Sequence, residues 1–255
     1  ELMFESFDKI IISIMAKKIA FGSNHVVIDL PYGNTLKVTH LKDAEILKDK
    51  FEYVAKKFNI KIRVLIHRTD QPVGRGMGPI LETKDALKVL EQAPSRPFDL
   101  EVRSLTLAGN LLELCLKDSP KTLQEHVRNT YGNCIGWATK ILQEGLALKK
   151  MMEIISEQGG NSKITSATLI PGKFEYKIKA NKDCIIKNID SKNLTLTVKA
   201  LGAPLQKGAG VYLNAKEGEK IEKGEALCTL YSENVYNLRN GKKTVQEFQI
   251  FSFIE

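Results

Sequence analysis

Ser13 and Lys17 set a hydroxyl and an ammonium four residues apart within Ser13-Ile14-Met15-Ala16-Lys17-Lys18. Ala16, Met15 and the two lysines favour a helix, and on a helix positions i and i+4 lie one above the other on a single face. Two such donors side by side can serve two neighbouring acceptors of one flat ligand, as on the carbonyl and imide edge of a pyrimidine. The same spacing is also the polar face of an ordinary helix, so the pair alone leaves both readings open.

A second candidate is the run Gln71-Pro72-Val73-Gly74-Arg75-Gly76-Met77-Gly78-Pro79. It lacks the Gly-Lys-[Ser/Thr] of a phosphate loop, and a dinucleotide fingerprint needs glycine where Pro79 stands. It reads as a tight loop with unusual backbone angles beside an active cleft. Arg75 within it either faces a sugar phosphate or makes a structural salt bridge. His25, His40, His67 and His126 have no metal-ligand spacing and adjoin no Gly-x-Ser-x-Gly pattern. His67 ends an expected strand, where it either touches substrate or serves as a cap or surface residue. Cys115, Cys134, Cys184 and Cys228 form no Cys-x-x-Cys pair and lie at no zinc spacing from a histidine, so they read as unpaired thiols of a reducing cytoplasm.

These residues need a scaffold, and the pattern predicts one. A helix over about 8–22 is broken by Gly22-Ser23-Asn24, and His25 to Leu30 reads as a buried strand followed by the turn Pro31-Tyr32-Gly33-Asn34-Thr35. Thr39 is placed to cap a helix in which Ala44, Leu47, Phe51, Val54, Ala55 and Phe58 recur at helical spacing. Lys61 to Ile66 follows as a second strand. Strand, helix, strand implies a parallel pair with a right-handed crossover and a ligand at the carboxyl ends of the strands. Helices are expected from Pro79 and over Leu100–Leu116, with Gly109 admitting close packing, then over Thr122–Thr130 and Trp137–Ile155. After Gly159-Gly160-Asn161-Ser162 the texture becomes short β segments: Phe174–Lys179, Cys184–Ile189, Asn193–Ala200 and Ala226–Leu230.

The chain has 255 residues, 43% hydrophobic and 27% charged, with a formal charge of +8. That length suffices for two domains with cores of their own. The positive balance favours anionic ligands, yet the lysines are spread along predicted helices, and the basic patches with interleaved aromatics of a single-strand binder are missing. Neither nucleic acid nor a membrane is an expected partner: Ile10 to Met15 is too short to span a bilayer and no signal peptide opens the chain.

Three blocks in fixed order carry a resemblance. Ser13 to Lys18 with Ile19-Ala20, Gln71 to Pro79 leading into Leu81-Glu82-Thr83-Lys84-Asp85-Ala86-Leu87, and Leu201-Gly202-Ala203-Pro204 with Lys207-Gly208-Ala209-Gly210-Val211 resemble the thymidine and pyrimidine-nucleoside phosphorylases. The second block, and the Pro-x-Gly turn at Pro31, resemble in particular the branch shared by archaeal AMP phosphorylases and some bacterial proteins. Many thymidine phosphorylases instead carry a lysine and Gly-Ser-Gly-Ala after this strand. The resemblance implies an α/β fold: the remainder of a central parallel-sheet domain with many helices (1–160), then a β-rich, barrel-sandwich-like α+β C-terminal domain (161–255). The segment Glu217 to Leu227 resembles the hairpin of lipoyl- and biotinyl-carrier domains, but without a carrier lysine.

The resemblance also implies phosphorolysis, in which phosphate attacks the anomeric carbon while the base leaves with negative charge. Ser13 and Lys17 would bind the base, Arg75 is a weaker substrate-binding candidate, and Glu82 matches a glutamate that binds a monovalent cation in some relatives. No catalytic residue or resident metal is assigned. No cofactor is implied, inorganic phosphate being a co-substrate; the partners are a nucleoside or nucleotide and phosphate. Glu1-Leu2-Met3 looks like an interior start, with the family's phosphate-binding segment, its base-binding arginine and its dimer-forming N-terminal helical domain upstream. The full-length protein would then be a cytoplasmic homodimer and the fragment inactive. A nucleoside monophosphate phosphorylase and a non-catalytic scaffold are the rival readings.

Overall fold

A computed structural model describes residues 7–254, so the expectation about Glu1-Leu2-Met3 lies outside the described residues. The chain divides into two compact units, one of Glu1–Thr69 with Ser104–Ile141, the other of Asp70–Arg103 with Leu142–Glu255.

The first unit opens with α1 (Phe7–Ala20), β1 (His25–Tyr32), α2 (Leu41–Lys57) and β2 (Lys61–Arg68). The strands pair in parallel over their whole length, from His25 opposite Lys61 to Tyr32 opposite Arg68. Val26, Ile28 and Leu30 point to one face, the period-2 signature of a strand, and pack with Ala44, Leu47, Phe51 and Ala55 of α2. On the other face Arg63 donates to Asn110 Oδ1 at 2.7 Å and Glu113 Oε2 at 2.8 Å, both on α4 (Phe98–Leu116). Phe58, expected on the buried stripe of α2, ends 54% exposed just beyond the helix. The cap of α2 is also displaced by one residue. His40, with extended backbone, occupies the cap without a side-chain hydrogen bond, which leaves Thr39 one position too early to reach the first free amides.

α5 (Lys121–Tyr131) and α6 (Cys134–Gln143) follow α4, and residues of all three line one cleft. Gly109 of α4 is required there: a Cβ would sit 2.5 Å from Ile135 Cγ1 and 2.9 Å from Ile135 Cα. The helix expected over Trp137–Ile155 is two helices, because Gly145 adopts the left-handed conformation between α6 and α7 (Leu146–Glu157).

The second unit contains β3 (Gly76–Met77), α3 (Pro79–Leu90), the start of α4, and α7, followed by the C-terminal α+β region. Four antiparallel strands run in the order β3, β6 (Gly210–Leu213), β8 (Ala226–Ser232), β4 (Phe174–Lys179). Three more run β7 (Lys220–Ile221), β5 (Cys184–Ile189), β9 (Phe251–Ile254). Both sheets are open, and α8 (Ser191–Ala200) and α9 (Val235–Glu247) pack on one another over a core that includes Ile186, Ile189, Leu194, Leu201, Val211, Leu213 and Leu230. Burial pushes the Cys228 thiol in this core up to about 12, so it stays protonated and inert.

The segment expected as a strand over Asn193–Ala200 is the helix α8. Asp190 caps it, accepting from the amides of Lys192 and Asn193 at 2.8 and 2.9 Å. The alternation of Leu194, Leu196 and Val198 imitates a strand, but the buried positions are Leu194, Thr197 and Leu201, which is helical spacing.

We expect Gly109→Ala to destabilise the protein by about 1–3 kcal/mol in urea unfolding, because overpacking against Ile135 backbone outweighs the helix propensity gained from alanine. An unchanged or raised midpoint would show that α4 and α6 are not in such close contact.

Candidate functional site

On α1, Ile11 and Met15 are buried in the core of the first unit. That fixes the rotation of the helix and turns Ser13 and Lys17, two positions along, to the exposed side. The two side chains meet, Lys17 Nζ donating to Ser13 Oγ at 3.3 Å. The ammonium keeps two further protons and the hydroxyl its own, so the pair presents several donors at one spot. Lys17 and Lys18 also occupy the last turn, where positive charge complements the helix dipole.

At the carboxyl ends of β1 and β2 the expected turn begins later than Pro31, since Pro31 and Tyr32 belong to the strand. Gly33 then lies so close to Thr69 that a Cβ would stand 2.2 Å from its carbonyl oxygen. His67 Nδ1 is 3.3 Å from Asp29 Oδ1. Burial, outweighing a backbone hydrogen bond involving Leu65, holds the imidazole below the usual histidine range.

The run Gln71–Pro79 belongs to the second unit, and its polar groups turn inward. Gly74 and Gly78 have φ of 79° and 121°, as expected of a tight glycine loop. Asp85, 3% exposed, accepts from the amides of Arg75 at 2.8 Å and Gly76 at 2.7 Å. Asp99 accepts from Gly74 N–H at 3.1 Å. Lys216, 8% exposed, donates to the Pro72 carbonyl, to the Gly74 carbonyl at 2.8 Å, and pairs with Asp99 Oδ2 at 3.1 Å. The Arg75 guanidinium donates to the carbonyls of Leu213 at 3.3 Å and Asn214 at 2.8 Å and pairs with Glu219 at 2.7 Å. Glu82 accepts from Gly78 N–H at 2.8 Å and so caps α3, whose first residue is Pro79.

Ser13 and Lys17 are therefore brought together, while Arg75 lies in the other compact unit. Sequence reading missed Lys216, Asp99 and Asp85. Lys216 looks like any surface lysine in a chain with 38 Lys and Arg, and only its tertiary partners distinguish it. Among the described residues no group of three or more His, Cys, Asp or Glu could hold a metal, and no helix is long and apolar enough to cross a membrane. A cleft of about 490 Å³ in the first unit is lined by Asn110, Glu113, Lys117, Arg128, Asn133 and others of α4, α5 and α6.

Residues 185–249 match the model of the pyrimidine nucleoside phosphorylase C-terminal domain. A Methylococcus capsulatus protein named "Putative thymidine phosphorylase" is 38% identical over 232 residues, 91% of this chain and 42% of that protein. A Legionella pneumophila protein of the same name is 39% identical over 234 residues, 92% of this chain and 42% of that protein. An AMP phosphorylase of Thermofilum pendens is 35% identical over 235 residues, 92% of this chain and 43% of that protein. Residues 185–249 thus belong to the pyrimidine nucleoside phosphorylase C-terminal domain family, and the chain as a whole is similar to proteins named as thymidine and AMP phosphorylases. It spans about two-fifths of the length of the relatives it matches.

Burial pushes Asp99 upward, but the charge and hydrogen bond of Lys216, with the amides of Gly74 and Leu100, outweigh it and hold the carboxyl below its usual value. A carboxyl depressed by folding stabilises the native state above its unfolded value and loses that contribution as pH falls through the folded one. Melting temperature should therefore fall below about pH 4, and Asp99→Asn should flatten that fall while lowering stability at neutral pH. An identical acid limb in the variant would remove Asp99 from the account.

Proposed function

We propose that the 255 residues are part of a pentosyltransferase that cleaves thymidine with phosphate, giving thymine and 2-deoxyribose 1-phosphate. The observation that carries the reading is the Ser13–Lys17 pair, a contiguous hydroxyl and ammonium on the exposed face of a helix anchored by Ile11 and Met15. Ser13 and Lys17 hydrogen-bond the ring N3 and carbonyl region of the base. As the glycosidic bond breaks, negative charge grows on that ring, and a positioned ammonium stabilises it more than it stabilises bound substrate. The phosphate half of the site is supplied by sequence that the longer relatives possess and these residues do not match, so the chain alone turns nothing over. The family's C-terminal domain takes 161–255, the complete enzyme works in the cytoplasm as a homodimer, and no cofactor beyond the phosphate co-substrate is needed.

The test is phosphate-dependent base release by the full-length gene product, offered thymidine, uridine, AMP and CMP side by side. Release from thymidine supports the reading, and in that enzyme Lys17→Ala should lower kcat/KM by about 10²-fold, the scale of losing one donor aimed at developing charge. Turnover by the 255 residues alone would contradict the proposed division of the site. Full-length protein that releases no base from any of the four would favour a scaffold.

The similarity to an AMP phosphorylase favours a second reading, cleavage of a nucleoside monophosphate to base and ribose 1,5-bisphosphate. Arg75, whose side chain is 30% exposed, retains guanidinium protons beyond its three bonds, and these would meet the 5′-phosphate. Arg75→Ala should then depress use of AMP far more than use of thymidine; equal losses would reject the contact.

A further inference from the structure

A buried ammonium without a role in the proposed chemistry is an expensive group to retain, since it must be desolvated and fully rebonded. Lys216 is such a group. Its side chain is 9% exposed, and three oxygens from two places in the sequence converge on Nζ: the carbonyls of Pro72 and Gly74 and the carboxylate of Asp99. A lysine ammonium has three protons and no lone pair, so three acceptors satisfy it completely. Desolvation holds its affinity for a proton below the usual lysine range, and the adjacent Asp99 counters that fall.

No strand ladder takes up these carbonyls. Pro72 and Gly74 flank Val73 in a segment that belongs to no strand, and the Gly74 amide is already given to Asp99. The same carboxylate thus binds the loop through its amide and the ammonium that binds the loop through its carbonyls. Downstream, the loop places Gly76 for its ladder with Tyr212 and presents Arg75 to Leu213, Asn214 and Glu219.

We propose that Lys216 is the positioning residue of the 71–78 loop, acting as a tethered ammonium ion, and that the oxygen cage around it is a binding site for small primary ammonium ions once the side chain is removed. The charge and the donors hold the loop, and the butyl stem serves to keep them there. The site is a property of the second unit alone and stands or falls independently of the thymidine reading.

The decisive experiment is chemical rescue of Lys216→Ala. n-Propylammonium replaces Cγ through Nζ atom for atom; 1-propanol carries the chain without the charge, and tetramethylammonium carries the charge without donors. The variant should melt about 5–10 °C below the unaltered chain. n-Propylammonium chloride should restore most of that loss saturably, and should return the Gly74 and Gly76 amide resonances to their original positions. 1-Propanol, and tetramethylammonium chloride at the same ionic strength, should do neither. Equal recovery with tetramethylammonium, or none with n-propylammonium, would overturn the proposal. Should Lys216→Ala fail to fold, the unaltered chain decides. In 15N-lysine spectra the Lys216 ammonium protons should exchange with water much more slowly than those of exposed lysines such as Lys150, and exchange at the same rate would overturn it.

Discussion

The glycine-rich loop of the second unit depends on having its backbone groups satisfied by side chains from outside it. Glycines at 74 and 78 let the chain make turns that other residues resist, and Gly76 leaves no room for a Cβ beside Leu81, but none of the three brings a side chain with which to hold the loop. The holding is done from outside the loop by three charged residues: Asp85 and Asp99 take the amides, and Lys216 takes the carbonyls. At the buried Asp85 carboxylate and Lys216 ammonium each bond is worth more than at the surface, and each omission costs more. The two-residue strand β3, too short to persist by itself, exists because Gly76 and Met77 are delivered in register to β6.

The first unit meets a different constraint. Two parallel strands cannot form an independent sheet, so β1 and β2 depend on α2 beneath them and on the Arg63 contacts with α4 above. α1 joins this assembly through Ile11 and Met15, and the same burial that anchors the helix dictates which of its side chains face outward. Anchoring and presentation are consequences of one helical phase. A residue inserted between Met15 and Lys17 would rotate the ammonium by about 100° and separate it from the serine without touching either side chain.

Local pattern made much of this visible in the sequence. β1, α2 and β2 announce themselves by period, and β4 and β5 occupy the residues expected of them. α8 was hidden because Leu194, Leu196 and Val198 alternate like a strand, and the deciding influence, the Asp190 cap, weighs little in a count of apolar positions. α9 had no counterpart in the sequence reading; Gly241 stands within it where Leu201 packs so close that a Cβ would come within 2.4 Å of it. Ser13 and Lys17 could be singled out because both members of the pair lie in one helical turn. Lys216 and Asp99 could not, because 117 residues separate the two partners and nothing local marks either.

The chain passes between its compact units three times, after Thr69, after Arg103 and after Ile141, and the last two crossings fall inside α4 and α6. Neither unit is a continuous stretch of gene. No single cut, by protease or by stop codon, leaves both of them whole. Any truncation series along this sequence therefore reports on interrupted folds before it reports on modules, and variation at one end of the polypeptide is constrained by packing that the middle supplies.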